Sequence, residues 1–67
     1  MNYGQRIKTI RELKGIKARF IAEKLNLSPA GYSGIERGRT KLTAERAAEI
    51  AEILGIKIDE IFFANKK

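Results

Sequence analysis

The chemistry open to this chain is that of cations set beside small side chains. Arg37, Arg39 and Lys41 occupy alternate positions just after a stretch holding Ala30, Gly31, Ser33 and Gly34. Guanidinium and ammonium groups so placed seat on phosphate oxygens through charge-assisted hydrogen bonds. The small residues let a backbone come close to whatever lies opposite. Bond-making chemistry finds no such foothold. The 67 residues include no Cys and no His, which removes thiol nucleophiles, imidazole bases, disulfides and the ordinary zinc ligand sets. Glu36 stands in the same stretch, but no second acid lies nearby in sequence to complete an acid–base pair. These residues argue against an enzyme and against a metal or cofactor.

The 14 basic and 8 acidic residues give a net charge of +6, unevenly spread. Residues 1–41 hold ten basic against three acidic residues, and 42–67 hold four against five. A polyanion such as nucleic acid, or an anionic membrane surface, would meet the first part, while the second suits packing or a protein partner. A merely solubilising surface is the plain alternative. The length fits one small domain, which buries only about 60% of the surface its unfolded chain exposes and has little room for a deep cavity. Apolar runs are short, as in Ile61-Phe62-Phe63-Ala64, whereas a bilayer span needs about 20 residues. Met1 to Arg6 lacks the order of a secretory signal. The expectation is a cytoplasmic protein in a reducing compartment, with no membrane contact.

Helical periodicity supplies the elements that hold these groups. Tyr3, Ile7 and Ile10 predict a helix over about 3–14, capped by Asn2 and ended by Gly15. Ala18, Ile21, Ala22 and Leu25 predict a second over 18–26, with Ile16 and Ile21 placed as a hydrophobic staple. Ser28-Pro29 is the strongest start signal, a hydroxyl cap followed by a preset φ, and opens a third helix over 29–37. Its interior glycines, Gly31 and Gly34, each cost up to about 1 kcal/mol relative to alanine, so something compensates for them. Thr43 caps a fourth helix over 44–54, whose stripe of Ala47, Ile50, Ala51 and Leu54 ends at Gly55. Ile58, Ile61 and Phe62 mark a short fifth over 58–64, and Asn65-Lys66-Lys67 reads as a frayed end. No alternating pattern argues for a sheet. The predicted fold is all-α, one five-helix domain over 1–67.

Two helices joined by a short turn, the second opened by Ser-Pro and followed by a basic loop, describe a helix-turn-helix reader of duplex DNA. A major groove about 12 Å wide admits one helix by its N-terminal end. The small residues would let the third helix lie near the groove floor; the competing explanation is tight packing on another helix.

The sequence resembles the phage-repressor and Cro-type helix-turn-helix proteins, the xenobiotic response element family with a lambda-repressor-like fold. The likeness rests on Arg6-Ile7-Lys8 with Arg11, Ile21-Ala22-Glu23-Lys24-Leu25, Leu27-Ser28-Pro29 and Ser33-Gly34-Ile35-Glu36-Arg37-Gly38. It continues through Ile50-Ala51 and Leu54-Gly55-Ile56 to Ile58-Asp59-Glu60-Ile61-Phe62. The resemblance implies a compact bundle of five helices, double-stranded DNA as partner, a homodimer on a palindromic operator, and transcriptional control, usually repression, in a bacterial or phage setting at the nucleoid. It places base-facing positions on Pro29, Ala30, Ser33 and Gly34. Phosphate contacts fall on Arg37, Arg39, Thr40 and Lys41 and on the start of the second helix at Lys17, Ala18 and Arg19. An interior ion pair is implied between Arg11 and Glu36.

The chain also departs from that pattern. Ala18 stands where the family commonly has glutamine, losing an amide contact to phosphate for which Arg19 or Lys17 would substitute. No Gln, Asn, Arg or Lys lies between Pro29 and Glu36, so bidentate base contacts are missing and base discrimination is expected to be modest, through thymine methyls, the Ser33 hydroxyl and DNA shape. Phe20 takes a place usually polar, for which core filling, a contact with a second protein and simple exposure stay open. Phe63, beside Ile58 and Ile61, suits an isologous dimer patch. Phe20 and Phe63 are also the features that favour the alternative function, an antitoxin of this fold that binds a toxin protein and its own promoter.

Overall fold

A computed structural model describes residues 3–63, which form five α-helices: α1 (Tyr3–Leu13), α2 (Ala18–Lys24), α3 (Pro29–Glu36), α4 (Ala44–Leu54) and α5 (Asp59–Phe62). There is no strand among the described residues. Each helix turns its apolar stripe to one shared core. Ile7 and Ile10 come from α1, Ile21 and Ala22 from α2 with Leu25 just after it, and Tyr32 and Ile35 from α3. Ile50, Ala51 and Leu54 come from α4 and Ile61 from α5. Ile7, Ile21, Tyr32 and Ile50 are fully enclosed, the close packing that makes such interiors sensitive to a single methylene.

The caps read from sequence operate. Ser28 Oγ accepts the Gly31 N–H at 3.0 Å, and Thr43 Oγ1 accepts the Arg46 N–H at 3.1 Å. The cap expected from Asn2, and the frayed end at 65–67, lie outside the described residues. Four helices are shorter than their periodicity predicts, α1 and α3 by one residue each and α2 and α5 by more. α2 closes at Lys24 because Asn26 turns left-handed, with φ 61°, and Leu27 N–H then donates back to the Ala22 carbonyl at 2.9 Å. α5 has only four residues, with Ile58 before it and Phe63 ending it.

α1 lies across α3 at Gly4, a close approach that sequence reading passes over. A Cβ at Gly4 would stand 2.0 Å from the Ile35 carbonyl oxygen and 2.8 Å from that of Glu36. α1 also meets α5, where Tyr3 and Phe62 pack edge to face with ring centroids 4.7 Å apart and Arg6 Nε donates to the Glu60 carbonyl at 3.2 Å. No helix among the described residues is long and apolar enough to cross a membrane.

Candidate nucleic-acid interface

α3 divides by face. Tyr32, Ile35 and Glu36 are buried, while Pro29, Ala30 and Gly31 are exposed and Ser33 and Gly34 half-buried. The small residues thus lie on the outward side, the side that a groove floor would meet. The chain then folds back over the end of the helix: Gly38 takes φ 81°, and the amides of Arg39 and Thr40 both donate to the Gly34 carbonyl, at 2.9 and 3.2 Å. This turn carries the cations to the exposed face of α3. Ala30, Ser33, Gly34, Arg37, Arg39 and Thr40 line one concavity of about 450 Å³. Lys41 lines the adjoining one, which shares Gly31 and Thr40.

Gly34 has a second reason to be small. A Cβ there would stand 2.9 Å from Thr40 Oγ1, so the glycine seats the basic loop as well as thinning the helix face. Packing on another helix, the competing explanation, does not apply to it.

Beneath α3 lies the polar anchor. Arg11 Nε donates to Glu36 Oε2 at 2.7 Å, its Nη2 to Oε1 at 3.2 Å, and its Nη1 to the Ile16 carbonyl at 2.9 Å. Tyr32 Oη donates to the same Glu36 Oε2 at 2.5 Å. One carboxylate therefore ties α1 to α3, and Arg11 ties both to the turn before α2. Sequence reading places Arg11 with Glu36 but misses Tyr32, although its i, i+4 spacing from Glu36 puts the two on one helical face. The Arg11 guanidinium is pushed above its ordinary value chiefly by the hydrogen bond to Glu36.

Burial, seconded by that carboxylate, pushes the Tyr32 phenol well above the ordinary tyrosine range. Because the neutral phenol is favoured in the fold, its contribution is complete below the unfolded-state value of about 10 and is lost as pH rises above it. In a Tyr3→Phe variant, where Tyr32 is the only tyrosine, phenolate absorbance should stay flat past about pH 11 while helical circular dichroism persists, and rise only with unfolding. Ionisation of Tyr32 in the folded protein at its ordinary value would contradict this.

At the start of α2 the three residues expected at phosphate differ in exposure. Ala18 is half-buried with its methyl packed against the core, as its place on the apolar stripe of α2 predicts. Lys17 and Arg19 are exposed, but they line a separate groove with Ile16 and Phe20 rather than the concavity on α3. Phe20 is 45% exposed, so core filling is not its role.

The C-terminal patch also changes. Ile61, expected at a dimer surface, is 2% exposed and belongs to the core, because its helical position, on a helix that meets α1, turns it inward. Ile58 is half-buried against the core, and Phe63 remains exposed, 6.5 Å from the Phe62 ring centroid.

A cation that sequence reading left out joins the α3 surface. Lys8, exposed on α1, lines a polar notch of about 390 Å³ with Gln5, Ser33, Glu36 and Arg37. Its signal is the spacing Gly4, Lys8, Arg11, which places all three on the side of α1 that meets α3. No group of three or more Asp and Glu among the described residues is placed to hold a metal ion.

A family model described as helix-turn-helix matches residues 7–61. No curated protein matches the chain. Two crystal structures of the clp gene regulator ClgR from Corynebacterium glutamicum are similar to it. One superposes with a TM-score of 0.87 at 29% identity, covering 92% of this chain and 80% of that chain. The other superposes with a TM-score of 0.86 at 29% identity, covering 92% of this chain and 66% of that one.

Proposed function

Because the chain belongs to the helix-turn-helix family, we propose that it is a double-stranded DNA-binding transcriptional regulator that lays α3 in the major groove. The observation that carries this is the joining of the small, exposed face of α3 with Arg37, Arg39 and Thr40 around one concavity. Pro29, Ala30, Ser33 and Gly34 face base edges, and Arg37, Arg39, Thr40 and Lys41 hold the flanking sugar-phosphate strands. Lys8 adds a cation from α1, and Lys17 and Arg19 extend the grip to the start of α2. The gene regulator ClgR is similar over 92% of this chain, which supports the regulatory part of the reading.

With no Gln, Asn, Arg or Lys on the reading face, thymine methyls meet Pro29 and Ala30, and the Ser33 hydroxyl makes the one polar base contact. Much of the preference then comes from DNA shape. Binding in register over a promoter blocks the transcription machinery, so the protein acts as a repressor. It does so as a homodimer on a palindrome whose half-sites lie about 34 Å apart.

A titration over salt concentration tests the DNA interface. Each neutralised phosphate adds about −0.9 to the slope of log affinity against log salt. Replacing Arg37, Arg39 and Lys41 together with alanine should flatten the slope by about 2.7 units, and adding Lys8→Ala by about 0.9 more. Affinity should fall nearly alike for palindromic and random duplexes, since phosphate contacts carry no base information. A wild-type slope near zero, or slopes that the alanines leave unchanged, would sink the reading.

Dimerisation has its own test. Phe63, 61% exposed beside Phe62, is the anchor of the isologous patch, with the outer edge of Ile58. Phe63→Ser should convert the dimer to monomer in sedimentation velocity and weaken binding to the palindrome far more than to a single half-site. A wild-type protein that sediments as a monomer on its operator would refute the dimer.

A further inference from the structure

Phe20 opens onto a second surface, apart from the concavity on α3, that shares only Lys17 and Arg19 with the proposed DNA contacts. With Gly15, Ile16, Lys17, Arg19 and Glu23 it lines an open groove of about 520 Å³ between the end of α1 and the start of α2. Its floor is apolar, formed by Ile16 and the Phe20 ring. Its rim is cationic: Lys17 and Arg19 are exposed, and Lys24 Nζ stands 5.4 Å from the Phe20 ring centroid. Against these three charges the groove sets one carboxylate, Glu23, 3.8 Å from Arg19 Nε with both side chains in solvent. Leu13, 82% exposed, lies two residues ahead of Gly15. An exposed aromatic within a ring of cations is the composition of an interaction anchor.

We propose that this groove docks an acidic segment of a partner protein, whose carboxylates meet Lys17, Arg19 and Lys24 while one large apolar side chain packs on Phe20 and Ile16. Charge complementarity sets the sign of the partner, and the apolar floor sets its class. A nucleic-acid backbone would satisfy the cations but leave Ile16 wet, and Lys24 already occupies a position over the ring on which a base would stack. Docking itself stands on the groove alone. Lys17 and Arg19 are also the cations assigned above to phosphate, so on that reading an occupied groove weakens DNA binding, which makes the partner an antagonist.

The test uses the full chain, isotope-labelled, and a short peptide of Asp and Glu residues around one Leu-Phe pair. Titration without DNA should shift the amide signals of Gly15, Ile16 and Phe20. Phe20→Ala, which removes a half-exposed ring and leaves the core intact, should weaken the peptide by about tenfold, the equivalent of about 1.4 kcal/mol. A peptide with Lys in place of every Asp and Glu should produce no shifts. Absence of shifts with the acidic peptide, or shifts that Phe20→Ala leaves unchanged, would overturn the proposal. So would a Phe20→Ala variant that loses duplex affinity tenfold while the peptide fails to bind, since the groove would then belong to nucleic acid. If the peptide binds as expected and no duplex does, the DNA reading falls and the docking surface stands.

Discussion

Arg11→Ala should destabilise the domain by about 3–5 kcal/mol, the range for stranding one partner of a buried ion pair. The Arg11 and Glu36 side chains are only 11% and 8% exposed, so solvent does little to screen their attraction, and water does not replace the lost guanidinium easily. Removing Arg11 leaves Glu36 with the Tyr32 hydroxyl alone and also releases the Ile16 carbonyl before α2. In a domain of this size each kcal/mol corresponds to a fall in Tm of roughly 4–8 °C, so thermal and urea unfolding both read the effect. Replacing the whole network with apolar residues, as Arg11→Met, Glu36→Leu and Tyr32→Phe together, should recover much of the loss, because no charge or hydroxyl is then left without a partner. An Arg11→Ala protein that melts like wild type would show that the pair is not a structural anchor. Failure of the triple replacement to recover stability would place the cost in packing instead of charge.

Gly4→Ala should cost at least about 3 kcal/mol, although in an open helix the same change gains up to about 1 kcal/mol from propensity. Geometry decides the sign. The added Cβ would lie 2.0 Å from the Ile35 carbonyl oxygen, 2.8 Å from the Glu36 oxygen and 2.9 Å from the Glu36 carbonyl carbon. All three are backbone atoms of α3, so no flexible side chain can swing aside. α1 must lift away, and with it go the two Arg11 bonds to Glu36 and the placement of Lys8 beside Arg37. The variant should therefore lose stability and DNA affinity together, whereas Arg37→Ala should lose affinity with little change in stability. Urea unfolding and duplex binding on the same preparation check both halves. Wild-type stability in Gly4→Ala would mean that α1 and α3 are not in close contact at this crossing.

The two expectations rest on features of different legibility. Arg11 with Glu36 could be placed from the resemblance, because family members join those positions. The part played by Tyr32 needed only the observation that it lies one helical turn before Glu36, yet its aromatic ring reads first as core. Gly4 left no comparable mark: a lone glycine in a helix looks like a minor flaw, and its value appears only once another backbone is known to lie against it. Ile61 misled for a related reason. Ile58, Ile61 and Phe63 are close in sequence, but whether a side chain of a four-residue helix turns inward depends on how that helix is set against α1, as the Tyr3–Phe62 contact and the Arg6–Glu60 bond set it here. Phe20 remained open between interior and surface because one residue beside the α2 stripe can turn either way.

By itself the sequence determined the order of five helices, their start signals at Ser28 and Thr43, the stripes that form the core and the uneven spread of positive charge. Those properties depend on interactions reaching only a few residues along the chain: side-chain caps, left-handed turns and the 3.6-residue period. The tertiary structure alone decided which cations share a surface with α3, that Lys8 is among them, that Ile61 faces inward, and that Phe20 opens a second groove. Each depends on the angle and distance at which helices far apart in sequence cross, and at Gly4 that distance is set by the absence of a single methyl group.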